Sequence, residues 1–291
     1  DTEFMKTQTF KSIIMLVCIT VSMAFVPVTS AAQDHVSGSR ISEITVSVGW
    51  NIGSYKESTY ARIIQKISDP KFHIGALFRR NNFLHTIKLD YMMAEPDSVL
   101  NETAVIYLDY DPVTGKPYYT PVIIPCFAHR ASIEYSMLYS LSSKPDAVFS
   151  FGGAFRTDAY IQLSNYPSVT GIFSLGPSVH QSLRLSSRDV FEFQGGIPLI
   201  GWAVRPSYAG ADALLMKYAE ESPLKILTLG KLVSLHNYQA VFGSVDYKHS
   251  VNDLITLKLG SDIEYSRMAV PAGRPRYDLS LNLRSGVLFA F

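Results

Sequence analysis

The chain has 291 residues, a formal net charge of +1, 47% hydrophobic residues, 17 Tyr and 16 Phe. Balanced charge with no basic stripe argues against nucleic acid as a partner. Beyond the first thirty-odd residues no apolar run approaches the ~20 residues of a helical membrane span, which excludes a helical membrane bundle.

Residues 1–4 precede Met5 and read as upstream or added sequence. Residues 5–32 carry the three-part pattern of a cleaved secretory signal. Lys6 and Lys11 come first, then an apolar run from Ser12 to Val26, then Pro27 and small residues ending at Ala31 and Ala32. Residues 33–291 are expected to form one exported domain. Cys18 falls inside the leader behind Met15, Leu16 and Val17, the wrong neighbours for lipidation. That leaves Cys126 alone in the exported chain, so no disulfide forms within it.

In chain order, segment after segment alternates with period two, which puts successive side chains on opposite faces of a strand. Ile44, Val46, Val48 and Trp50 oppose Glu43, Thr45 and Ser47. Phe72, Ile74, Ala76 and Phe78 share a face. Ile87, Leu89 and Tyr91 oppose Thr86, Lys88 and Asp90. Ile133, Tyr135, Met137 and Tyr139 oppose Arg130, Ser132, Glu134 and Ser136. Phe149, Phe151 and Phe155 oppose Ser150, Gly152, Arg156 and Asp158. Phe173, Leu175, Val179 and Leu183 oppose Ser174, Ser178, His180, Ser182 and Arg184.

The stretch 190–208 starts with Phe191 and Phe193 against Glu192 and Gln194, then slips phase near Pro198. A bulge there predicts Trp202 and Val204 on the apolar face and Arg205 on the polar one; splitting into two strands is the other reading. A short helix is expected within 209–222. Val241, Val245 and Tyr247 oppose Ser244, Asp246 and Lys248. Ile255, Leu257, Leu259, Ile263 and Tyr265 oppose Lys258, Asp262 and Glu264. The last segment is the most regular: Tyr277, Leu279, Leu281, Leu283, Val287, Phe289 and Phe291 oppose Asp278, Ser280, Asn282 and Arg284.

Short polar connections (79–82, 142–146, 186–189, 250–253) alternate with longer ones (51–71, 95–125, 163–169, 209–237, 268–276). Tight turns at one end and long loops at the other mark an up-and-down barrel. The fold class read from this is all-β: a closed antiparallel transmembrane β-barrel of about ten strands, with twelve or eight as alternatives. A soluble sandwich also alternates, but its strands run nearer five or six residues.

The terminal Phe291, with Val287 and Phe289 in phase behind it, resembles the C-terminal assembly signal of Gram-negative outer-membrane β-barrel proteins. The resemblance covers 41–291 as a pattern. It implies a bacterial outer-membrane location, contact with outer-membrane lipid and the barrel-assembly machinery, and no particular activity, since the fold hosts pores, proteases, lipases and adhesins.

Such a barrel turns its polar face inward. The expected lumen network comprises Lys88, Asp90, Arg130, Glu134, Arg156, Asp158, Arg184, Glu192, Arg205, Asp246, Lys258, Asp262, Glu264 and Arg284, with Glu43, Lys248 and Asp278 in the same phase. The two signs nearly balance, so no single-sign field selects an ion. Ten strands leave little interior room, and enclosed charges need partners. An occluded polar lumen is expected, with a narrow channel for a small solute as the alternative.

Catalytic signals are weak. His180-Gln181-Ser182 is similar to the His-x-Ser of outer-membrane phospholipases, but Leu183 and Arg184 follow where that family has Asn-Gly, and both side chains are expected to face inward. Asp109-Tyr110-Asp111 is similar to the Asp-x-Asp of ten-stranded outer-membrane proteases, but no Asp-x-His stands in another long loop, and Asp111-Pro112 signals a turn. No histidine pair has metal-ligand spacing. The reading is a non-enzyme without cofactor or metal. Tyr107, Tyr110, Tyr118 and Tyr119 on the proline-rich stretch 95–125 suit contact with an extracellular or envelope protein.

Overall fold

The computed structural model describes residues 41–57, 64–94, 97–98, 104–111, 113–123, 127–144, 146–163, 168–205, 217–218 and 221–290. The expected leader, Cys126 and Phe291 lie outside the described residues.

Fifteen strands are described: β1 (Ile41–Glu57), β2 (Gln65–Arg80), β3 (Phe83–Ala94), β4 (Asp97–Ser98), β5 (Ala104–Tyr110), β6 (Pro117–Ile123), β7 (Phe127–Lys144), β8 (Ala147–Leu163), β9 (Ser168–Arg184), β10 (Asp189–Gly196), β11 (Ile200–Val204), β12 (Lys231–Ser234), β13 (Tyr238–Ser250), β14 (Ile255–Met268) and β15 (Arg276–Ala290). Every pairing is antiparallel, and β15 returns to β1 in unbroken register from Glu43↔Ala290 to Glu57↔Arg276. β10 and β11 run in line along β9, and β12 leads into β13. The wall therefore has ten positions: β1, β2, β3, β7, β8, β9, β10 with β11, β12 with β13, β14 and β15.

The strands exceed the expected limits, mostly at the long-loop end. β1 runs on from Trp50 to Glu57 and β2 starts at Gln65. Once a wall is closed, both neighbours supply ladder partners, so the polar stretches Asn51–Glu57 and Gln65–Lys71 pair without an apolar face to announce them. The stretch 95–125 is not a plain loop, for β5 and β6 form their own hairpin within it. Within the expected helical stretch 209–222, of which 217–218 and 221–222 are described, residues 217, 218 and 221 are helical, and helical structure continues at Pro223–Ile226 and Leu227–Leu229.

Apolar side chains cover the outside. Val46, Val48, Trp50 and Ile52 on β1 are each about half exposed, as are Phe72 and Ile74 on β2 and Leu279, Leu281 and Leu283 on β15. A water-soluble monomer rarely shows an apolar patch beyond a few hundred Å²; here it encircles the molecule. Rings gather near the short-turn end of this band: Phe78 stacks on His85 at 4.7 Å, and Phe83 meets Tyr139 edge-on at 5.4 Å. Such a girdle belongs at a membrane–water interface.

Candidate functional site

The inner face is layered. At the short-turn end Leu84, Leu138 and Leu288 are buried, with small hydroxyls near them such as Thr86 and Ser136, 2.5 Å apart. Leu288 lies on the face that its neighbours Asp278 to Arg284 had marked as polar. At the long-loop end two apolar clusters line the wall: Tyr55, Ile67, Met92, Ala94, Ala128 and Tyr160, and then Ile172, Ala203, Val233, Tyr238, Ala240 and Met268.

Between them lies a layer of charge. Glu264 on β14 accepts from Lys71 of β2 at 3.0 Å and from Arg156 of β8 at 3.0 Å. Arg156 also pairs with Asp158 at 2.9 Å, and Lys71 with Asp90 at 3.3 Å. Arg284 on β15 binds Asp246 at 2.7 Å and Asp262 at 3.0 Å, and Lys258 reaches Asp246 at 3.0 Å. Asn282 places one amide against Asp262 at 3.0 Å and against His73 Nε2 at 2.7 Å, so His73 Nδ1 is the nitrogen left to donate to Asp90 at 2.5 Å. Lys248 bridges Glu43 and Glu192 at 2.7 and 2.9 Å. Nearer the long loops, Arg130 of β7 meets Asp278 of β15 at 2.5 Å, and Arg276 lies over the Tyr160 ring at 4.2 Å.

These contacts cross the lumen. Arg130–Asp278 and Arg156–Glu264 each join strands four positions apart around the ring. Gln194 donates to Glu134 at 3.0 Å across three, and Lys88 reaches Ser244 at 3.5 Å from the diametrically opposite wall. Burying so many ions is costly unless each finds a partner, and removing one member leaves the other stranded.

The remaining expected residues fall elsewhere. Arg184 ends β9 exposed to solvent, apart from the ion pairs described. Arg205 sits at the long-loop end and donates to the Val270 carbonyl at 2.6 Å, which ties down a loop. Trp202 faces outward, but Val204 is buried instead of facing lipid; the chain leaves the wall there, and Trp202 Nε1 donates to the Leu227 carbonyl of the overlying connection at 2.8 Å. Val287 is half-buried and Phe289 37% exposed on the outer side of β15. Sequence reasoning missed Lys71, His73 and Arg276. The first two share the phase opposite Phe72 and Ile74, and Arg276 shares the phase of Asp278; Lys71 and Arg276 were lost by starting the strand one residue too late, and His73, inside the expected strand, because only the apolar face of that segment was read.

His180 is buried and turns Nε2 toward Glu192 at 3.9 Å, inside the barrel and away from the lipid rim. Asp111 is a turn residue: its carboxylate accepts the Val113 amide at 2.8 Å and the Thr114 hydroxyl at 2.7 Å, which, with the Thr114 amide, hold it below the usual carboxylate range, the hydroxyl contributing most. Tyr110 is 58% exposed at the same hairpin. Tyr107 and Tyr119 stand at backbone positions opposite Thr120 and Leu108, and Tyr118 opposite Asp109; their side chains lie outside the described residues. Among the described residues no group of acidic, histidine or cysteine side chains is arranged to hold a metal ion.

The layer separates two spaces. One, toward the long loops, has a cavity volume of about 80 Å³ above a floor of Lys71, Glu264 and Arg156. The other, toward the short turns, has about 70 Å³ and is bordered by Glu43, His180, Glu192 and Lys248.

A closed barrel with hydrocarbon-compatible side chains outside and paired ions inside has the architecture of the transmembrane β-barrels of bacterial outer membranes. The fold is shared with the outer-membrane protease OmpT from Escherichia coli at 7% identity and TM-score 0.58, over 89% of this chain and 99% of that one. Looser likenesses are the beta domain of the Bordetella autotransporter BrkA (7% identity, TM-score 0.41, 87% and 100% covered) and neisserial surface protein A (10%, 0.35, 88% and 100%). No family model matches the sequence, and no curated protein matches it.

Proposed function

We propose that the protein is an occluded outer-membrane barrel that acts through its long-loop end, without catalysis, as an interaction or envelope-structural protein. The ion pairs that join opposite walls carry this reading: a solute crossing the lumen would have to strip partners from Arg156, Glu264 and Lys71 together. The hairpin β5–β6, with Tyr110 exposed, supplies a stiff display element for an extracellular or envelope protein. The same reading treats 5–32 as the removed leader and Val287, Phe289 and Phe291 as the signal presented to the assembly machinery.

Planar-bilayer recording of the purified barrel tests the occlusion. The expected trace is flat at 100 mV in 1 M KCl; steady single-channel steps would overturn it. The narrow-channel reading draws its support from the two spaces above and below the ion layer, and those same steps would establish it.

A further inference from the structure

One sector of the wall loses its ladder. Gly196 pairs with Phe242, and Ile200 with Ser234, so Ile197–Leu199 face the whole of Leu235–Val241. Tyr238 to Val241 pair only with β14. On the other side the bulge stays fastened to β9, where the amides of Ile197 and Leu199 donate to the Pro177 and Leu175 carbonyls at 3.2 and 2.9 Å. Gly176 permits that fastening, since a Cβ there would stand 2.0 Å from the Ile197 carbonyl oxygen. The wall is therefore held on one side of the bulge and unzipped on the other.

Backbone polar groups without partners are not tolerated against hydrocarbon; they persist in a membrane where they line a cavity. The seam meets that condition. Pro198 from the gap and Val241 from the outer surface both border the upper space, beside the inward Tyr238 and Ala240. Outside the seam Ile197, Leu199, Leu235 and Val241 are between 44% and 50% exposed, beside the exposed polar side chains of His236 and Gln239. Inside, Ile172, Tyr238, Phe242 and Met268 continue the apolar surface down to a floor whose ions are mutually paired.

We infer that this seam is a lateral portal by which a small, uncharged, lipid-soluble molecule passes between the membrane and the upper space. The balanced floor offers no single charge to an ionic ligand, and the four exposed apolar side chains beside the seam favour a lipid-soluble one. The portal goes beyond the occluded-barrel reading and does not depend on the loops; bilayer conductance tests the occlusion independently.

The test uses N-phenyl-1-naphthylamine, a lipophilic fluorophore, with the full barrel in phosphatidylcholine vesicles and protein-free vesicles as reference. The expected result is a saturable component of about one probe per barrel. Ala240→Trp, which fills the inner mouth, should weaken it at least tenfold, whereas Val46→Trp, on the lipid face of β1, should leave it intact. Val241→Trp adds bulk only outside the seam and should slow uptake severalfold in stopped-flow without changing the amount bound. Purely linear partitioning into lipid, saturable binding that survives Ala240→Trp, or uptake through Val241→Trp at the native rate would overturn the portal; if Ala240→Trp does not fold, the Val241→Trp rate decides.

Discussion

The barrel wall has two unlike sides. Along β13, β14, β15, β1 and β2 the ladder is nearly continuous, and these strands hold the dense part of the ion layer: Asp246, Lys258, Asp262, Glu264, Asn282, Arg284, Glu43, Lys71 and His73. Along β9, β10 with β11 and β12 with β13 the register breaks, and the inner surface beside the break is apolar. Both sides show period-two alternation. The difference lies in what each must hold. Ion pairs worth keeping need carboxylates and cations fixed to within a few tenths of an ångström, which a locked ladder provides. An apolar surface tolerates small shifts, since its contacts are individually weak and non-directional.

If that contrast is right, perturbations should hurt the locked side most. Arg284→Ala removes the one cation that reaches both Asp246 and Asp262, and should cost about 3–5 kcal/mol, read as a lower urea midpoint for unfolding from lipid vesicles. A change near zero would mean that the ion layer contributes nothing to the wall. A matched pair of glycines then compares the sides directly. A Cβ at Gly286 on β15 would stand 2.4 Å from the Val46 carbonyl oxygen, in a strand bonded on both sides, whereas one at Gly176 meets a bulge hydrogen-bonded to β9 alone, with no ladder on its far side to resist a shift. Gly286→Ala should cost about 3 kcal/mol and Gly176→Ala about 1 kcal/mol; equal costs would erase the distinction. The smallest effect belongs to neither side. The Asp111 carboxylate has its pKa lowered in the folded hairpin by the Thr114 hydroxyl and the adjacent amides. Its contribution is complete above the ordinary carboxylate value, near pH 4, and is lost as pH falls through the lower folded value. Amide exchange at Val113 and Thr114 should therefore quicken only under acid, and Asp111→Asn should flatten that dependence.

The locked side was the legible one. Tyr277 to Arg284 announce lipid and lumen residue by residue, because an unbroken strand keeps its phase. The ion pairs across the lumen were legible as composition, not as partners: alternation shows that Arg156 and Glu264 both face inward, but the shear that brings them together is a property of the closed ring. Pro198 betrayed the irregular sector, yet phase alone could not place Val204, whose burial depends on the connection that returns over Trp202. Lys71 escaped notice because Pro70 and Asp69 obscured the start of β2, and His73 because only the apolar face of that segment was read. The apolar layer was invisible for a different reason. Met92, Tyr160 and Tyr238 sit at strand ends, where one or two residues cannot establish a period.

The strand lengths carry one more implication, for reach. β7 has 18 residues; at about 3.3 Å each and a tilt near 40°, it climbs about 45 Å, against an apolar belt of about 25 Å. The excess lies beyond Ile52, where outward positions turn to Ser54, Lys56, Lys66 and Arg267. The cylinder thus stands proud of the bilayer like a short chimney, lifting its uppermost segments clear of the lipid headgroups. On the proposed reading, a partner that docks there can be large and rigid, because it never has to settle onto the membrane itself.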